Sequence, residues 1–202
     1  MDKYRGIAEI FDKNVERYES WYIKNLDKAK CEEFLIKSFN LKGIGIEIGS
    51  GTCYFTRLFK DCIGIDISFE MCKFCKKYRN IEVIHCIGEK LPIKDKSLNY
   101  ILIIVTICFI DNPKIVLEEC YRCLKERGKI LICIIPKDSY LGKMYEEKKV
   151  RGESIFYKYA KFYTEKDIVD IAEKINLKHI HTGKTLCINP KDCGFICILL
   201  EK

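Results

Sequence analysis

The chain has 202 residues, 48% hydrophobic and 32% charged, which predicts a globular protein with a substantial core. Its formal net charge is +7, but basic and acidic residues are interspersed, which favours a solvated surface over a nucleic-acid-binding face. The charged N-terminus and the short apolar runs, of which the longest is 101–110, argue against a signal peptide and a membrane span. We therefore expect a cytoplasmic protein.

The thirteen cysteines are predicted to be reduced and to serve mainly as small buried hydrophobic residues. A secreted disulfide framework is not expected in a chain of this length without a signal peptide. Two C-x-x-C pairs, Cys72/Cys75 and Cys120/Cys123, fall in predicted helices on opposite faces of the predicted sheet. Because four ligands must converge on one tetrahedral ion, these pairs do not predict a metal site.

The predicted elements alternate after an N-terminal helical region. Residues 1–40 predict a helical cap, because apolar side chains recur at three- and four-residue steps. Short helices are predicted to start near residues 54, 68, 113 and 164. Residues 137–163 are predicted to form an irregular insertion on the substrate side. The whole chain, 1–202, is predicted to be a single domain. The predicted strands are 44–48, 62–67, 81–87, 99–105, 129–135, 179–185 and 195–200, the last two as a hairpin.

This alternation predicts an α/β fold, with a mostly parallel sheet covered by helices on both faces. In such a fold, ligands bind beyond the carboxyl ends of the strands, beside the first strand. The motifs at those strand ends are therefore the candidates for function.

The turn after the first predicted strand has the pattern acidic-x-Gly-x-Gly. Glu47 ends the strand, and Gly49 and Gly51 allow a sharp turn and a close approach of the backbone to a ligand. A dinucleotide-binding turn requires a third glycine where Tyr54 stands, which argues against a nicotinamide-dependent oxidoreductase. A carboxylate before the glycines instead favours a ligand that carries an ammonium and a sulfonium group.

Two further features follow the next predicted strands. Asp66 closes the second strand, where its carboxylate can accept hydrogen bonds from a ribose diol. The loop of residues 88–97 follows the third strand, at the expected place of an adenine ring.

Together these features resemble the class I S-adenosylmethionine-dependent methyltransferases, and within them the small-molecule branch related to quinone-biosynthesis enzymes, type 11. The resemblance covers nearly the whole chain and implies a Rossmann-like three-layer sandwich with a seven-stranded sheet, an antiparallel last strand and an N-terminal helical lid. The segments that carry it besides the glycine turn are 11–22, Glu89, Leu91, Pro92, Asp95, Ser97, 111–113 and 162–164.

The resemblance also implies residue roles, with S-adenosylmethionine as the cofactor and S-adenosylhomocysteine as its product. Each role concerns one part of the cofactor. The implied contacts are Glu47, Gly49 and Gly51 at the methionine end, Asp66 at the ribose, Ile67, Gly88 and Glu89 at the adenine, Thr106 near the reacting methyl group, and Tyr18 as the lid residue.

Two positions depart from the family pattern. Cys53 replaces the third glycine of the turn, so we expect its φ to avoid positive values. Ile87 stands where the family often has an aspartate for the adenine amine, so adenine recognition is expected to use backbone groups and packing.

The expected reaction is in-line methyl transfer to a small molecule, driven mainly by positioning, so no catalytic dyad is required. Thr106 and Cys108 are the candidates for a direct role, although Cys108 lacks the preceding proline of RNA cytosine methyltransferases. The predicted acceptor pocket combines the N-terminal helix, 108–110 and the aromatic residues Tyr140, Tyr145, Phe156, Tyr157, Phe162 and Tyr163. The alternatives are a nucleic-acid methyltransferase and a cofactor-binding protein without catalysis.

Overall fold

A seven-stranded sheet forms the centre of the computed structural model, which describes residues 2–202. Its strand order is β3-β2-β1-β4-β5-β7-β6. The strands are β1 (Gly45–Ile48), β2 (Cys62–Asp66), β3 (Val83–His85), β4 (Leu98–Ile104), β5 (Leu124–Ile134), β6 (Lys178–Asn189) and β7 (Asp192–Glu201). The helices are α1 (Asp2–Asp12), α2 (Val15–Lys24), α3 (Leu26–Ser38), α4 (Phe69–Phe74), α5 (Pro113–Cys123), α6 (Tyr140–Val150) and α7 (Glu165–Glu173).

The first five strands are parallel and the last two form an antiparallel hairpin. β1 pairs in parallel with β2 on one side and β4 on the other, so their carboxyl ends meet at one edge of the sheet. β7 runs antiparallel to both β5 and β6. The predicted fold class, a Rossmann-like methyltransferase sheet with an antiparallel last strand, is therefore confirmed.

Two apolar layers cover the sheet. On one face, buried residues of β1, β4 and β5 pack against α5 and α7, with Val116 and Ile168 fully buried. On the other face, Leu102 and Leu131 pack against α2 and α3. The near-continuous apolar sequence of β4 follows from this burial on both faces. No helix within residues 2–202 has the length and hydropathy needed to cross a bilayer.

Residues 137–163 are more regular than predicted, because they contain α6 and a 3₁₀ turn, Phe156–Tyr159. Ser139 caps α6, and its hydroxyl oxygen accepts a hydrogen bond from the backbone N–H of Gly142 at 3.1 Å. The helix after Pro113 ends at Cys123, because Leu124 already pairs with Leu98 in the sheet.

The prediction that the cysteines are all reduced is wrong, because six of them form three disulfides. Two of these bonds join neighbouring antiparallel strands. The register places Cys133 of β5 opposite Cys197 of β7, and Cys187 of β6 opposite Cys193 of β7. The third joins Cys53 to Cys75. The prediction that cysteines serve as small buried side chains is confirmed for five free cysteines, Cys62, Cys72, Cys108, Cys120 and Cys123.

The C-x-x-C pairs lie apart, as predicted. α4 carries Cys72 and packs against α1 and α2, whereas α5 carries Cys120 and Cys123 and packs against α7. The two helices thus belong to opposite layers.

Candidate active site

The turn between β1 and a 3₁₀ turn, Thr56–Leu58, contains two glycines with left-handed backbone. Gly49 has a φ of +69° and Gly51 a φ of +52°. A side chain at Gly49 would overlap Thr106, whose hydroxyl donates to the Gly49 carbonyl oxygen at 3.2 Å. Gly49 therefore satisfies two requirements, a positive φ and close contact with the end of β4.

Cys53 also adopts a positive φ, +59°, so the expectation that its backbone avoids this region is wrong. A left-handed conformation costs a residue with a Cβ about 1–2 kcal/mol. Two local interactions offset this cost: the N–H of Cys53 donates to the Ser50 carbonyl oxygen at 2.8 Å, and its side chain is bonded to Cys75.

Asp66 lies at the tip of β2 and connects two segments of the site. One carboxylate oxygen accepts a hydrogen bond from the N–H of Gly51 at 2.7 Å, and the other accepts one from the N–H of Ser68 at 2.8 Å. Burial raises the pKa of Asp66 to about 6, although both hydrogen bonds oppose this shift. Each oxygen keeps a second lone pair that can accept from a ligand.

Glu47 is buried beneath the turn. Its carboxylate accepts a hydrogen bond from the hydroxyl of Thr56 at 2.5 Å. Burial raises the pKa of Glu47 to about 8. Glu47 thus supports the turn from below and does not line the cavity above it.

A cavity of about 260 Å³ lies above the turn. It brings together six of the nine predicted cofactor-binding residues, namely Tyr18, Gly49, Gly51, Asp66, Ile67 and Thr106. Tyr18 packs over the turn, since a methyl group placed on Gly51 would lie 3.1 Å from its ring.

Two further predicted residues, Gly88 and Glu89, do not line the cavity. Glu89 instead accepts a hydrogen bond from the hydroxyl of Tyr4, on α1. The same hydroxyl accepts from the N–H of Asp111 at 3.2 Å, and Lys3 forms an ion pair with the Asp111 side chain. α1 therefore crosses the sheet edge above the predicted adenine loop.

Cys108, the second candidate for a direct role, also lies outside this cavity. It lines a much smaller one, of about 10 Å³, and its thiol contacts the carbonyl oxygen of Val105 at 3.5 Å. Burial raises the pKa of this thiol to about 12, which disfavours the thiolate that a nucleophile requires.

Aromatic side chains enclose the rest of the cavity. Of the aromatic residues predicted for the acceptor pocket, Tyr145, Phe156 and Tyr157 line it, whereas Tyr140, Phe162 and Tyr163 do not. Phe11, Trp21 and Tyr22, from the segment 11–22, and Phe109, from the predicted segment 108–110, also line it. The lining residues that sequence analysis did not single out include Phe55, Lys28 and Glu32.

Glu32 carries a signal that the sequence does contain. It lies three residues after Ala29 and four before Ile36, on the buried stripe of α3, so an acidic residue interrupts an apolar face. The residue is 8% exposed. Burial raises the pKa of its carboxyl to about 8, and the positive charge of Lys28 opposes the shift.

Comparisons with known proteins agree on the fold and the family. Residues 44–132 match the family model described as "Methyltransferase domain", type 11. A SAM-dependent methyltransferase from Thermotoga maritima, described as a possible histamine N-methyltransferase, is 32% identical with a TM-score of 0.88, and the match covers 96% of this chain and 99% of that one.

Two curated relatives extend the comparison. An uncharacterized protein of Methanocaldococcus jannaschii is 43% identical over 88% of this chain and 85% of its own length. A malonyl-[acyl-carrier protein] O-methyltransferase of Hamiltonella defensa is 27% identical over 66% of this chain and 54% of its own length. With the sheet order and the glycine turn, the match to the Thermotoga maritima protein shows that the chain belongs to the class I S-adenosylmethionine-dependent methyltransferases.

Proposed function

We propose that the protein transfers the methyl group of S-adenosylmethionine to a small-molecule acceptor held in the aromatic part of the cavity. The observation that carries this proposal is the continuity of the cavity: Gly51 and Asp66 line it together with Tyr145 and Tyr157. A cofactor bound at the turn and an acceptor held among the aromatic rings would therefore share one enclosed space.

The residues at the turn fit the cofactor. The absence of side chains at Gly49 and Gly51 leaves the backbone open to the methionine end, and Asp66 presents a buried carboxylate at the strand tip for the ribose. The carboxyl group of Asp66 also suits a ligand that carries a positive sulfonium and an ammonium group. Ile67 supplies an apolar surface beside Asp66 for the adenine ring.

We further propose that the helical region of residues 1–40 acts as a cover for this site within one domain. Ile7 and Phe11 of α1 and Tyr18 of α2 form part of the cavity wall. The volume, about 260 Å³, lies below the 300–1,000 Å³ usual for ligand pockets. To hold a cofactor and an acceptor together, the cavity would need α1 to move away from the adenine loop. In the present structure, the hydroxyl of Tyr4 on α1 donates a hydrogen bond to the carboxylate of Glu89 in that loop.

The enclosure supports a small acceptor over a nucleic acid. α1, α2 and α3 close one side of the cavity, and α6 with the 3₁₀ turn Phe156–Tyr159 closes the other. The Thermotoga maritima protein, a possible histamine N-methyltransferase, is similar over nearly its whole length. Both observations favour the small-molecule reading.

The chain's contribution to catalysis is then alignment and exclusion of water. The bound cofactor supplies an activated methyl group on a positive sulfur, so in-line displacement needs no further activation of the donor. Thr106, fixed by its hydrogen bonds to the carbonyl oxygens of Gly49 and Ile104, lines the cavity beside the glycine turn. Alignment of this kind contributes about 7–11 kcal/mol to lowering a barrier.

The test is calorimetric titration of the protein with S-adenosylmethionine and with a nicotinamide dinucleotide, followed by a methyl-transfer screen on small metabolites read by mass spectrometry. We expect binding of the first ligand alone and the gain of a methyl group by one class of metabolite. Binding without transfer to any metabolite would favour a non-catalytic protein, and transfer only to RNA would overturn the small-molecule proposal.

A further inference from the structure

The aromatic part of the cavity contains one buried carboxylate without a partner. Glu32 lines the cavity and is 8% exposed. Within residues 2–202, its carboxylate receives no hydrogen bond, and the charge that acts on it comes from Lys28, one helical turn earlier. Burying an unpaired carboxylate is costly, so such a group either keeps a proton or pairs with a cation, and one that lines a cleft is a candidate functional residue.

The surroundings of Glu32 are aromatic on several sides. Burial raises the pKa values of Tyr18, Tyr22, Tyr145 and Tyr157, and the charge of Glu32 raises each of them further. These tyrosines line the same cavity as Glu32 and come from α2, α6 and the 3₁₀ turn Phe156–Tyr159.

A cation would satisfy both parts of this arrangement. Ring faces attract an ammonium through their quadrupole, and a carboxylate attracts it through its charge, more strongly where water is excluded. A neutral or anionic acceptor would leave Glu32 unpaired or repel it. Lys28 is exposed, so it stands where the cavity approaches solvent and does not neutralise the carboxylate as an ion pair.

We propose that the methyl acceptor is a small amine, and that Glu32 binds its ammonium group and then takes its proton. This inference rests on the proposed function, because it assigns the acceptor of that same site. Glu32 would be a catalytic residue, since it touches the reacting nitrogen.

The step balances as a proton transfer followed by displacement. The ammonium gives one proton to the Glu32 carboxylate and becomes a neutral amine with a free lone pair. That lone pair forms the new N–C bond to the methyl carbon while the S–C bond breaks, and its electron pair stays on sulfur as a neutral thioether. The methylated nitrogen carries the positive charge, and the proton on Glu32 leaves to water when the next ammonium binds.

The raised pKa of Glu32 suits this role. A base whose conjugate acid has a pKa near the working pH can both hold and release a proton. Burial raises the pKa of Glu32 to about 8, which makes its carboxylate a stronger base than an exposed one. Burial sets this pKa, and the positive charge of Lys28 opposes the shift. The other titratable groups that share the cavity with Glu32 are Asp66 and the tyrosines at 18, 22, 145 and 157.

The test uses amines and alcohols of matched skeleton, such as phenethylamine and 2-phenylethanol, in a panel of small aliphatic and aromatic pairs. Each compound is titrated by calorimetry into the protein saturated with S-adenosylhomocysteine. We expect at least one amine to bind roughly tenfold or more tightly than its alcohol, the effect of a buried charge pair. Because Glu32 is mostly protonated near pH 7, amine binding should also release about one proton, measured from the heats in two buffers.

The variants are Glu32→Gln and, as a matched control, Glu33→Gln, which removes a neighbouring carboxylate that pairs with Arg57 outside the cavity. We expect Glu32→Gln to abolish the amine preference and the proton release while the affinity for S-adenosylhomocysteine stays within about twofold. Glu33→Gln should retain all three properties.

Two results would overturn the inference: no amine bound better than its alcohol, or an amine preference that persists in Glu32→Gln. Either result leaves the proposed function standing as long as S-adenosylhomocysteine binds. Failure of the cofactor itself to bind the wild-type protein would instead contradict the proposed function.

Discussion

The carboxylate of Asp66 accepts a hydrogen bond from the backbone N–H of Gly51 at 2.7 Å, which ties the tip of β2 to the glycine turn after β1. The same carboxylate accepts from the N–H of Ser68, the residue that caps α4. Asp66, the residue expected to bind the ribose, and the turn expected to bind the methionine end are therefore joined by a hydrogen bond. A change at Asp66 should affect both.

We predict that Asp66→Asn weakens S-adenosylmethionine binding at least tenfold and lowers the free energy of unfolding by about 1–3 kcal/mol. An amide can accept from only one of the two backbone N–H groups and directs its own N–H₂ at the other, which leaves a buried donor unsatisfied. Calorimetry and urea unfolding measure the two effects. Asp61→Asn, at an exposed residue just before β2, is the control and should change neither. Wild-type affinity in Asp66→Asn would contradict this arrangement.

A second prediction separates the two reasons for a glycine at position 49. Gly152 also has a positive φ, +71°, but nothing lies within 4 Å of the place of a Cβ, whereas at Gly49 that place is filled by Thr106. Gly152→Ala should therefore cost only the conformational term, about 1–2 kcal/mol. Gly49→Ala should cost more and abolish cofactor binding, because the overlap with Thr106 must displace the turn.

The comparison requires unfolding curves and cofactor titrations for both variants. If both variants lost the same free energy of unfolding, Thr106 would move aside easily. The close packing of Gly49 against Thr106 would then not be required for function.

The residues of the glycine turn and the acidic residues beside it can be predicted from the sequence, because they lie at strand ends. Glu47, Gly49, Gly51 and Asp66 each occur next to an apolar strand, and parallel pairing brings those ends together. Long-range contacts are not readable in this way. The hydrogen bond from Tyr4 to Glu89 spans 85 residues, and it depends on where α1 lies over the sheet.

Cross-strand disulfides illustrate the same limit. Cys133 and Cys197 are 64 residues apart, and only the antiparallel register of β5 and β7 places them opposite each other. Cys53 shows a different limit: a left-handed backbone at a residue other than glycine depends on tertiary contacts, in this case with Cys75. The spacing along α3 places Glu32 on the buried stripe of that helix, but the cavity that it lines is formed with segments from distant parts of the chain.

The third prediction concerns pH. Burial raises the pKa values of Glu32 and Glu47 to about 8 and that of Asp66 to about 6, so the folded protein keeps protons that the unfolded chain has lost. The free energy of unfolding should therefore fall as the pH rises from about 5 to 8, by up to about 1.4 kcal/mol per pH unit for each such group. Below the pKa values of the unfolded chain, the effect should disappear.

Glu32→Gln should reduce this slope and make the protein more stable than wild type at pH 8, because no charge is then forced into the cavity. Urea unfolding at pH 5.5, 6.5 and 8 measures the change, with Glu33→Gln as the control. A slope in Glu32→Gln as steep as that of the wild type would mean that this carboxyl does not retain its proton in the folded state.

The last prediction tests α1 as a cover over the adenine loop. The hydroxyl of Tyr4 binds both Glu89 and the N–H of Asp111, so Tyr4→Phe removes two hydrogen bonds that hold α1 against the sheet edge while it keeps the ring. If α1 must open before the cofactor enters, the loss of about 1 kcal/mol of closing interaction should raise the association rate of S-adenosylmethionine about fivefold. Trp21, the single tryptophan, lines the cavity, so stopped-flow fluorescence reports the binding directly. Tyr78→Phe, at an exposed ring far along the chain from α1, should leave the rate unchanged. An unchanged rate in Tyr4→Phe would show that the cofactor reaches its site without displacing α1.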